Sequence, residues 1–469
     1  MGFGEGYLQK AALRNKLIGQ PPRENTAVIV TIPVYKEARL DRCLDSLYSC
    51  TRPAQHRPSF HCEVLILINA AADDREEVLS LNQSCLLETR EWIRAHPHPF
   101  IDFHLWLDHG FGKKEAGVGS ARKILMDEAV RRFDQIGQPR GLIVSLDADS
   151  VVDQNYLQAL HQHFFGEEGS KTEGCSIYFE HPLQAAGDPF GEDLPPEIYL
   201  AIARYELHLR YYLWSLRSTG FPHAYHTLGS AFAVRAEVYA LEGGMNRRQG
   251  GEDFYFIQKI AQRGRFNSCT GTRVVPSSRT SDRVPFGTGP ALRAQLHTPL
   301  RSYHSAPFAM LNPLFSDRER LYKGNPLPSL SPILSDFLVL QGFDAALARM
   351  RANAASAEAF SGRFWRWFNM FRIMKFLHFA RERGYPDQAV EEVAVERLLK
   401  MGAGGRTAGG PGGLTAGGVG GPKTGGAGGL KAAGTGTLPS ACTELLSIYR
   451  HLDRLPVPPP GTHPHPLFS

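Results

Sequence analysis

The chain has 469 residues, of which 42% are hydrophobic, 10% aromatic and 21% charged, enough to bury at least one full core and too apolar for disorder throughout. Its net charge of +5, from 52 basic and 47 acidic residues, is too balanced for a protein whose main partner is a nucleic-acid backbone. Seven cysteines with no Cys-x-x-Cys pair indicate neither a zinc ribbon nor a disulfide framework, and no run of about 18 apolar residues occurs, so the expectation is a soluble cytoplasmic protein without a transmembrane span.

Residues 1–25 read as an N-terminal arm. The β-branched run Ala27 to Ile32, ended by Pro33, predicts a strand, and the spacing of Leu40, Cys43, Leu44 and Leu47 predicts the helix after it. The pattern repeats with a strand over Glu63–Ile68, a helix from about Arg75 to Ala95, a strand over Phe103–Leu107, a helix from near Gly119 to Phe133 and the uniformly apolar strand Gly141–Leu146. Strands apolar on both faces and alternating with helices predict a parallel sheet covered on both sides, an α/β domain of Rossmann-like style. Past residue 150 come a Pro/Gly/acidic stretch from His181 to Pro196, a helix over Glu197–Arg217 and a strand over Ser230–Val234, a looser text that suits a substrate-side half. Residues 291–400 read as a helical extension. Of the 40 residues from Met401 to Ser440, 17 are Gly, which predicts a disordered linker, and a short amphipathic helix and a Pro-rich tail fill 441–469.

In open parallel sheets ligands collect beyond the carboxyl ends of the strands. The first strand ends in Pro33, Val34, Tyr35, Lys36 and Glu37, an aromatic face beside a carboxylate. The second ends at Asn69, with Asp73 and Asp74 just beyond. The helix after the third opens with Gly117, Gly119 and the cations Arg122 and Lys123, suited to an anionic ligand. The fourth ends in Asp147, Ala148 and Asp149, a DXD motif whose two carboxylates can share one hard divalent cation and so neutralise a diphosphate leaving group. A hundred residues on, Glu252 and Asp253 stand at the mouth of an amphipathic helix, where the helix N-terminus would hold a carboxylate ionised, as a general base requires.

These residues resemble the nucleotide-sugar-dependent glycosyltransferases of the GT-A fold, in the large inverting family two. The likeness is carried by 33–37, 119–123, 146–149 with Leu157, 229–235 with Gly243 and Gly244, and 251–253, in the family's order and over about 26–285. It implies a GT-A, Rossmann-like nucleotide-diphospho-sugar transferase domain over 26–290, with a nucleotide half at 26–150, an acceptor half at 151–290 and a C-terminal helical extension. It implies a hexosyltransferase-like, metal-dependent enzyme that moves a sugar from a UDP- or GDP-sugar to an acceptor hydroxyl with inversion. Pro33, Tyr35, Glu37, Asn69, Arg122 and Asp147 would bind the donor nucleotide, Asp149 and Asp147 would ligate Mn²⁺ or Mg²⁺, Asp253 would be the base, and Glu252 would orient the loop or bind acceptor hydroxyls. Asn69 stands where many members carry Asp, and Lys36 where the family carries Asn, so base identity, uracil against guanine, stays open and Lys36 could instead approach a phosphate. His297 and His304 lie where a third metal ligand sometimes falls.

The stretch 276–289, dense in Arg, Asp, Ser and Gly, reads either as a loop closing over a diphosphate or as a structural turn. In the Phe364–Ala380 segment the apolar residues occupy more than one face, which fits core or homodimer packing, with peripheral membrane contact and acceptor binding as alternatives. Two other classes stay open for the whole chain. A sugar-phosphate nucleotidyltransferase would want glycines after the first strand, which 33–37 lacks; a non-catalytic nucleotide-sugar scaffold would be expected to lose the acids, and Asp147, Asp149 and Asp253 are present.

Overall fold

The computed structural model describes residues 2–11, 17–52, 60–112, 117–246, 251–280, 288–295, 298–406 and 438–455. Eight strands make one sheet: β1 (Thr26–Val34), β2 (His61–Ala71), β3 (Ile101–Phe111), β4 (Leu142–Ser145), β5 (Ser150–Val152), β6 (Gly174–Phe179), β7 (Phe232–Arg235) and β8 (Phe266–Pro276), in the order β3-β2-β1-β4-β7-β6-β8-β5. The parallel expectation holds for the first four strands. It fails at β7, which runs antiparallel to both β4 and β6, and at β5, which runs antiparallel to β8, so the sheet is mixed. Four-residue β7 carries no local signal of its direction.

Alternation divides the core. Val28, Val30 and Ile32 of β1 pack on one side with Leu40, Leu44 and Tyr156. Ile29 of β1 and Leu65 and Leu67 of β2 pack on the other, with Leu125, Ala129 and Phe133 of the Val118–Gln135 helix and Phe256 and Ile260 of the Glu252–Ala261 helix. Strand β3, at the sheet edge, is only half-buried along most of its length. All seven cysteines are buried and free.

The N-terminal arm is packed down by its Glu5–Ala11 helix: the Tyr7 hydroxyl donates to Asp127 at 2.6 Å, and Lys123 pairs with Asp127 at 2.8 Å. Lys123 therefore faces the arm and not a ligand. From 305 to 406 the chain is mostly helical, and its core joins Phe308, Phe315, Phe337 and Phe364 to Tyr211 and Leu213 of the long Pro196–Ser218 helix. The 364–380 segment is two helices, Ala357–Trp367 and Met370–Arg381, separated where the Asn369 side chain caps the second by accepting from the Arg372 N–H at 3.0 Å. Phe364, Phe368, Ile373 and Phe376 are fully buried, which favours the core reading. The Val390–Arg406 helix continues into the first glycines of the 401–440 stretch, while 407–437 and the Pro-rich tail from 456 lie outside the described residues.

The C-terminal helix Leu438–Arg454 returns to the 196–218 helix and buries Cys442, Leu446, Tyr449 and Leu452 there. Its charged residues enter the interior as well. Asp453 accepts from Arg210, from the Trp214 indole at 2.7 Å and from His226 at 2.9 Å, and Arg450 donates to Glu206 at 2.7 Å. Glu206 also accepts from Arg210 at 2.8 Å and pairs with His181 at 2.9 Å. Among the described residues, no helix is long and apolar enough to cross a membrane.

Candidate active site

The ends of β1, β2 and β4 open on one cavity of about 830 Å³, lined by Pro33, Tyr35, Asn69, Arg122, Asp147 and Asp149 from the sheet side and by Glu252 and Asp253 from the mouth of the 252–261 helix. The buried amide of Asn82 ties two of these strand ends together: its Oδ1 accepts the Lys36 N–H and its Nδ2 donates to the Asn69 carbonyl, both at 3.1 Å. Lys36 itself sits at φ 52°, the single non-glycine in left-handed backbone among the described residues, a strain of about 1–3 kcal/mol that turns the chain sharply after β1. That turn leaves Tyr35 on the cavity, its hydroxyl donating to Asp74 at 3.2 Å, while Lys36 is not among the residues that line it.

Arg122 is the centre of the site. Its buried guanidinium donates to Asp147 Oδ1 at 2.6 Å and to Glu252, so one cation joins the DXD loop to the helix that carries Asp253. Burial alone would lower its pKa, but Asp147, Glu252 and Asp253 together hold it above its ordinary value. Gly229 makes room for it, since a Cβ there would stand 2.8 Å from an Arg122 nitrogen. Asp147 is pushed up by burial and by Asp149, against the pull of Arg122.

Asp253 is pushed up to about 7, first by burial and then by the neighbouring Glu252 charge, with Arg122 and the Phe254 N–H opposing. The expectation that the helix N-terminus would keep this carboxylate ionised is therefore corrected: desolvation beside a like charge outweighs the helix field. The result suits a base better, because a pKa near the working pH combines an available ionised form with real proton affinity.

Glu37 does not line the cavity. It is buried behind Arg279, with which it forms an ion pair, and it accepts the Arg39 N–H at 2.9 Å. Arg279 lines the cavity and stands 3.8 Å from Asp149, so Glu37 acts through it. This places Pro276, Ser277, Arg279, Thr288 and Gly289 of the 276–289 stretch on the wall; residues 281–287 lie outside the described residues, as does His297. His304 instead caps the Ser305–Met310 helix, accepting from the Ala306 N–H at 3.1 Å.

Asn69 is 1% exposed, lines the cavity, and has neither its amide oxygen nor its amide nitrogen hydrogen-bonded. An orphaned buried amide costs about 1–3 kcal/mol, so it is matched to a ligand edge that both donates and accepts. For a metal, Asp147 and Asp149 supply hard oxygen donors of the kind that hold Mg²⁺ or Mn²⁺ when phosphates and water complete the shell. Among the described residues, no third His, Cys, Asp or Glu joins them in a ready-made cluster. The pair thus fits a cation that arrives with its diphosphate.

Sequence reasoning missed the Arg279–Glu37 pair, the wall histidines His181 and His226, and a stripe on the 196–218 helix: Tyr205, His208, Leu209, Tyr212 and Leu213 all line the cavity. The stripe was readable, because its spacing of three, four, seven and eight is one helical face.

A scan against protein-family models and a search of the curated proteins return no match. Among solved structures, the mannosyltransferase PcManGT from Pyrobaculum calidifontis, in complex with GDP-Man and Mn²⁺, aligns over 85% of this chain and 95% of its own, at 16% identity and a TM-score of 0.33. S. aureus TarS 1–349 aligns over 76% of this chain and 92% of its own, at 12% identity and a TM-score of 0.31. Likenesses this distant say what the chain resembles and no more.

Proposed function

We propose that this chain is an inverting glycosyltransferase of GT-A type, which moves a sugar from a nucleoside-diphosphate sugar to an acceptor hydroxyl with the help of a divalent cation. The observation that carries the reading is the Arg122 bridge: through Asp147 it fastens the loop that bears two carboxylates suited to a metal–diphosphate to the helix mouth that holds a carboxylate poised near pH 7. The nucleotide half is 26–150, the acceptor half 151–290, and the helices of 291–400 back the acceptor half.

In this mechanism Asn69 reads the nucleobase edge and Tyr35 flanks the ring. Arg279, steadied by Glu37, meets the diphosphate. Asp149, with Asp147, would hold Mn²⁺ or Mg²⁺, which when bound neutralises the leaving diphosphate. Arg122 keeps Asp147 and Glu252 in register. Asp253 takes the acceptor proton as the hydroxyl oxygen attacks the anomeric carbon opposite the leaving group, through an oxocarbenium-like transition state. Retention by double displacement needs a second carboxylate as nucleophile; Glu252 is committed to Arg122, which favours single displacement and inversion.

A screen of UDP-, GDP- and other nucleotide sugars for thermal stabilisation, with and without Mn²⁺, tests the reading. Stabilisation by one base class, followed by transfer or slow donor hydrolysis, is expected. If no nucleotide sugar raises the melting temperature under either condition, the reading fails.

A further inference from the structure

The cavity is divided by charge. Among the described lining residues, every Asp, Glu or Arg comes from 73–75, 122, 147–149, 252–253 or 279, all on the strand ends or the helix mouth. The rest of the wall holds no charged side chain among the described residues where it is built from the stripe of the 196–218 helix together with Phe254, Tyr303, Met370 and Met374. Three of its rings form one surface, with His208 stacked on Tyr212 at 6.5 Å between centroids, Tyr212 against Tyr303 at 5.7 Å, and His208 against Tyr303 at 6.2 Å. His208 is neutral as well, since burial pushes it down to about 4 and its Nδ1 bonds the Ser302 hydroxyl at 2.8 Å. Arg381 stands over Tyr303 at 5.4 Å but does not line the cavity, so a phosphate, carboxylate or ammonium seated on these rings would lose water and meet no charged side chain among the described lining residues, a cost of several kcal/mol.

The wall is not merely greasy. The Tyr212 hydroxyl is buried without a hydrogen-bond partner, which favours an occupant bearing polar groups. The wall also meets the base: Tyr205 and Phe254 line the same cavity as Asp253, and Phe254 follows Asp253 in the chain. An occupant of these rings therefore shares the cavity with Asp253 and can turn one edge to it. Uncharged, hydroxyl-bearing and ring-shaped describes a sugar, whose C–H face packs on aromatic rings while its rim of hydroxyls finds polar partners.

We propose that the acceptor is a neutral glycoside, its sugar ring lying on the His208–Tyr212–Tyr303 surface beside Tyr205, with one hydroxyl presented to Asp253. This rests on the glycosyltransferase reading and narrows it, setting aside phosphorylated sugars, lipid diphosphates and charged peptides. In the reaction the acceptor O–H proton passes to Asp253, the new C–O bond forms at the anomeric carbon, and the bond to the nucleoside diphosphate breaks with its electron pair on the diphosphate.

The test is saturation-transfer NMR on the full chain with Mg²⁺, which is diamagnetic, and either UDP or GDP present. The probes are methyl glycosides of glucose, mannose, galactose and N-acetylglucosamine, the matching sugar 6-phosphates, and octyl β-glucoside below its micelle concentration. The expected result is transfer to ring protons of at least one methyl glycoside, affinity for its 6-phosphate at least tenfold weaker, and transfer in the octyl compound centred on the ring. Tyr212→Phe keeps the ring and removes the hydroxyl, so it should weaken the glycoside about five- to tenfold. Equal or tighter binding of the phosphates, transfer centred on the octyl chain, an unchanged affinity in both Tyr212→Phe and Tyr205→Ala, or no glycoside signal at all overturns the proposal. Nucleotide affinity, titrated in the same samples, judges the parent reading separately: nucleotide binding without glycoside binding sinks this inference alone, and glycoside binding without nucleotide binding sinks the parent.

Discussion

Removing the charge of Asp453 should destabilise the protein from behind the cavity wall, where it holds His226. Its carboxylate is 6% exposed as a residue and accepts from Arg210, Trp214 and His226. Breaking a buried pair by deleting one partner costs about 3–5 kcal/mol. Arg210 keeps Glu206 at 2.8 Å and the Phe179 carbonyl at 2.5 Å, so Asp453→Ala belongs at the low end of that range. At roughly 2 °C per kcal/mol for a chain of this size, the melting temperature should fall by about 6 °C. Asp453→Asn, which keeps the Trp214 bond, should lose about half of that. Cutting the chain before 438 is harsher: the burial of Cys442, Leu446, Tyr449 and Leu452 is worth about 1.5–3 kcal/mol for each large apolar side chain, an upper estimate that rivals a whole domain's stability. The assay is thermal and urea unfolding followed by circular dichroism from pH 8 to pH 3. Burial would raise the Asp453 pKa, but Arg210, His226 and Arg217 hold it well below the usual carboxylate range. A depressed acid stabilises the fold at pH above its unfolded value, so the gap between wild type and Asp453→Asn should be flat from pH 8 to about 5 and close as pH falls below about 4. A melt within 1 °C of wild type at pH 7, or a gap that widens toward acid, refutes the reasoning.

Asp253→Asn should keep fold, metal and nucleotide affinity while transfer falls about 10²- to 10⁴-fold, read as initial rate against calorimetric donor affinity. Because Asp253 is pushed up to about 7 in the unliganded protein and must be ionised to act, kcat/KM in the wild type should rise with pH through about 7, whereas a kcat/KM already flat from pH 5 upward would exclude it as base. Asp149→Ala should abolish the Mn²⁺-dependent part of nucleoside-diphosphate affinity, and equal wild-type affinity in EDTA and in Mn²⁺ would count against the metal assignment. Gly229→Ala pushes a Cβ into the Arg122 guanidinium and should cost about 1–3 kcal/mol of stability along with nucleotide affinity, measured by urea titration and calorimetry.

Much of the site can be read from the chain because the residues that line it end contiguous apolar strands: Pro33, Tyr35, Asn69, Asp147 and Asp149 are where β1, β2 and β4 run out, and such runs are visible without a structure. What was not legible depends on groups far apart in sequence. Asp253 titrates near 7 because of burial and Glu252, whereas the local pattern shows only a helix start. Lys123 turns to Asp127 and Tyr7, a choice made by the arm 116 residues away. Glu37 leaves the wall because Arg279, 242 residues on, reaches back to it. The C-terminal helix looks like a detached amphipathic piece until its Asp453 is seen against Arg210.

The C-terminal helix is held on the 196–218 helix by side chains between Cys442 and Asp453. Because those side chains lie along one helical face, a one-residue slip inside the helix would turn Leu446, Tyr449 and Leu452 away from their partner and carry Asp453 off Arg210. Purifying pressure should therefore gather on the spacing of these residues: an insertion anywhere within 442–453 should be far less tolerated than a conservative exchange of any one of them.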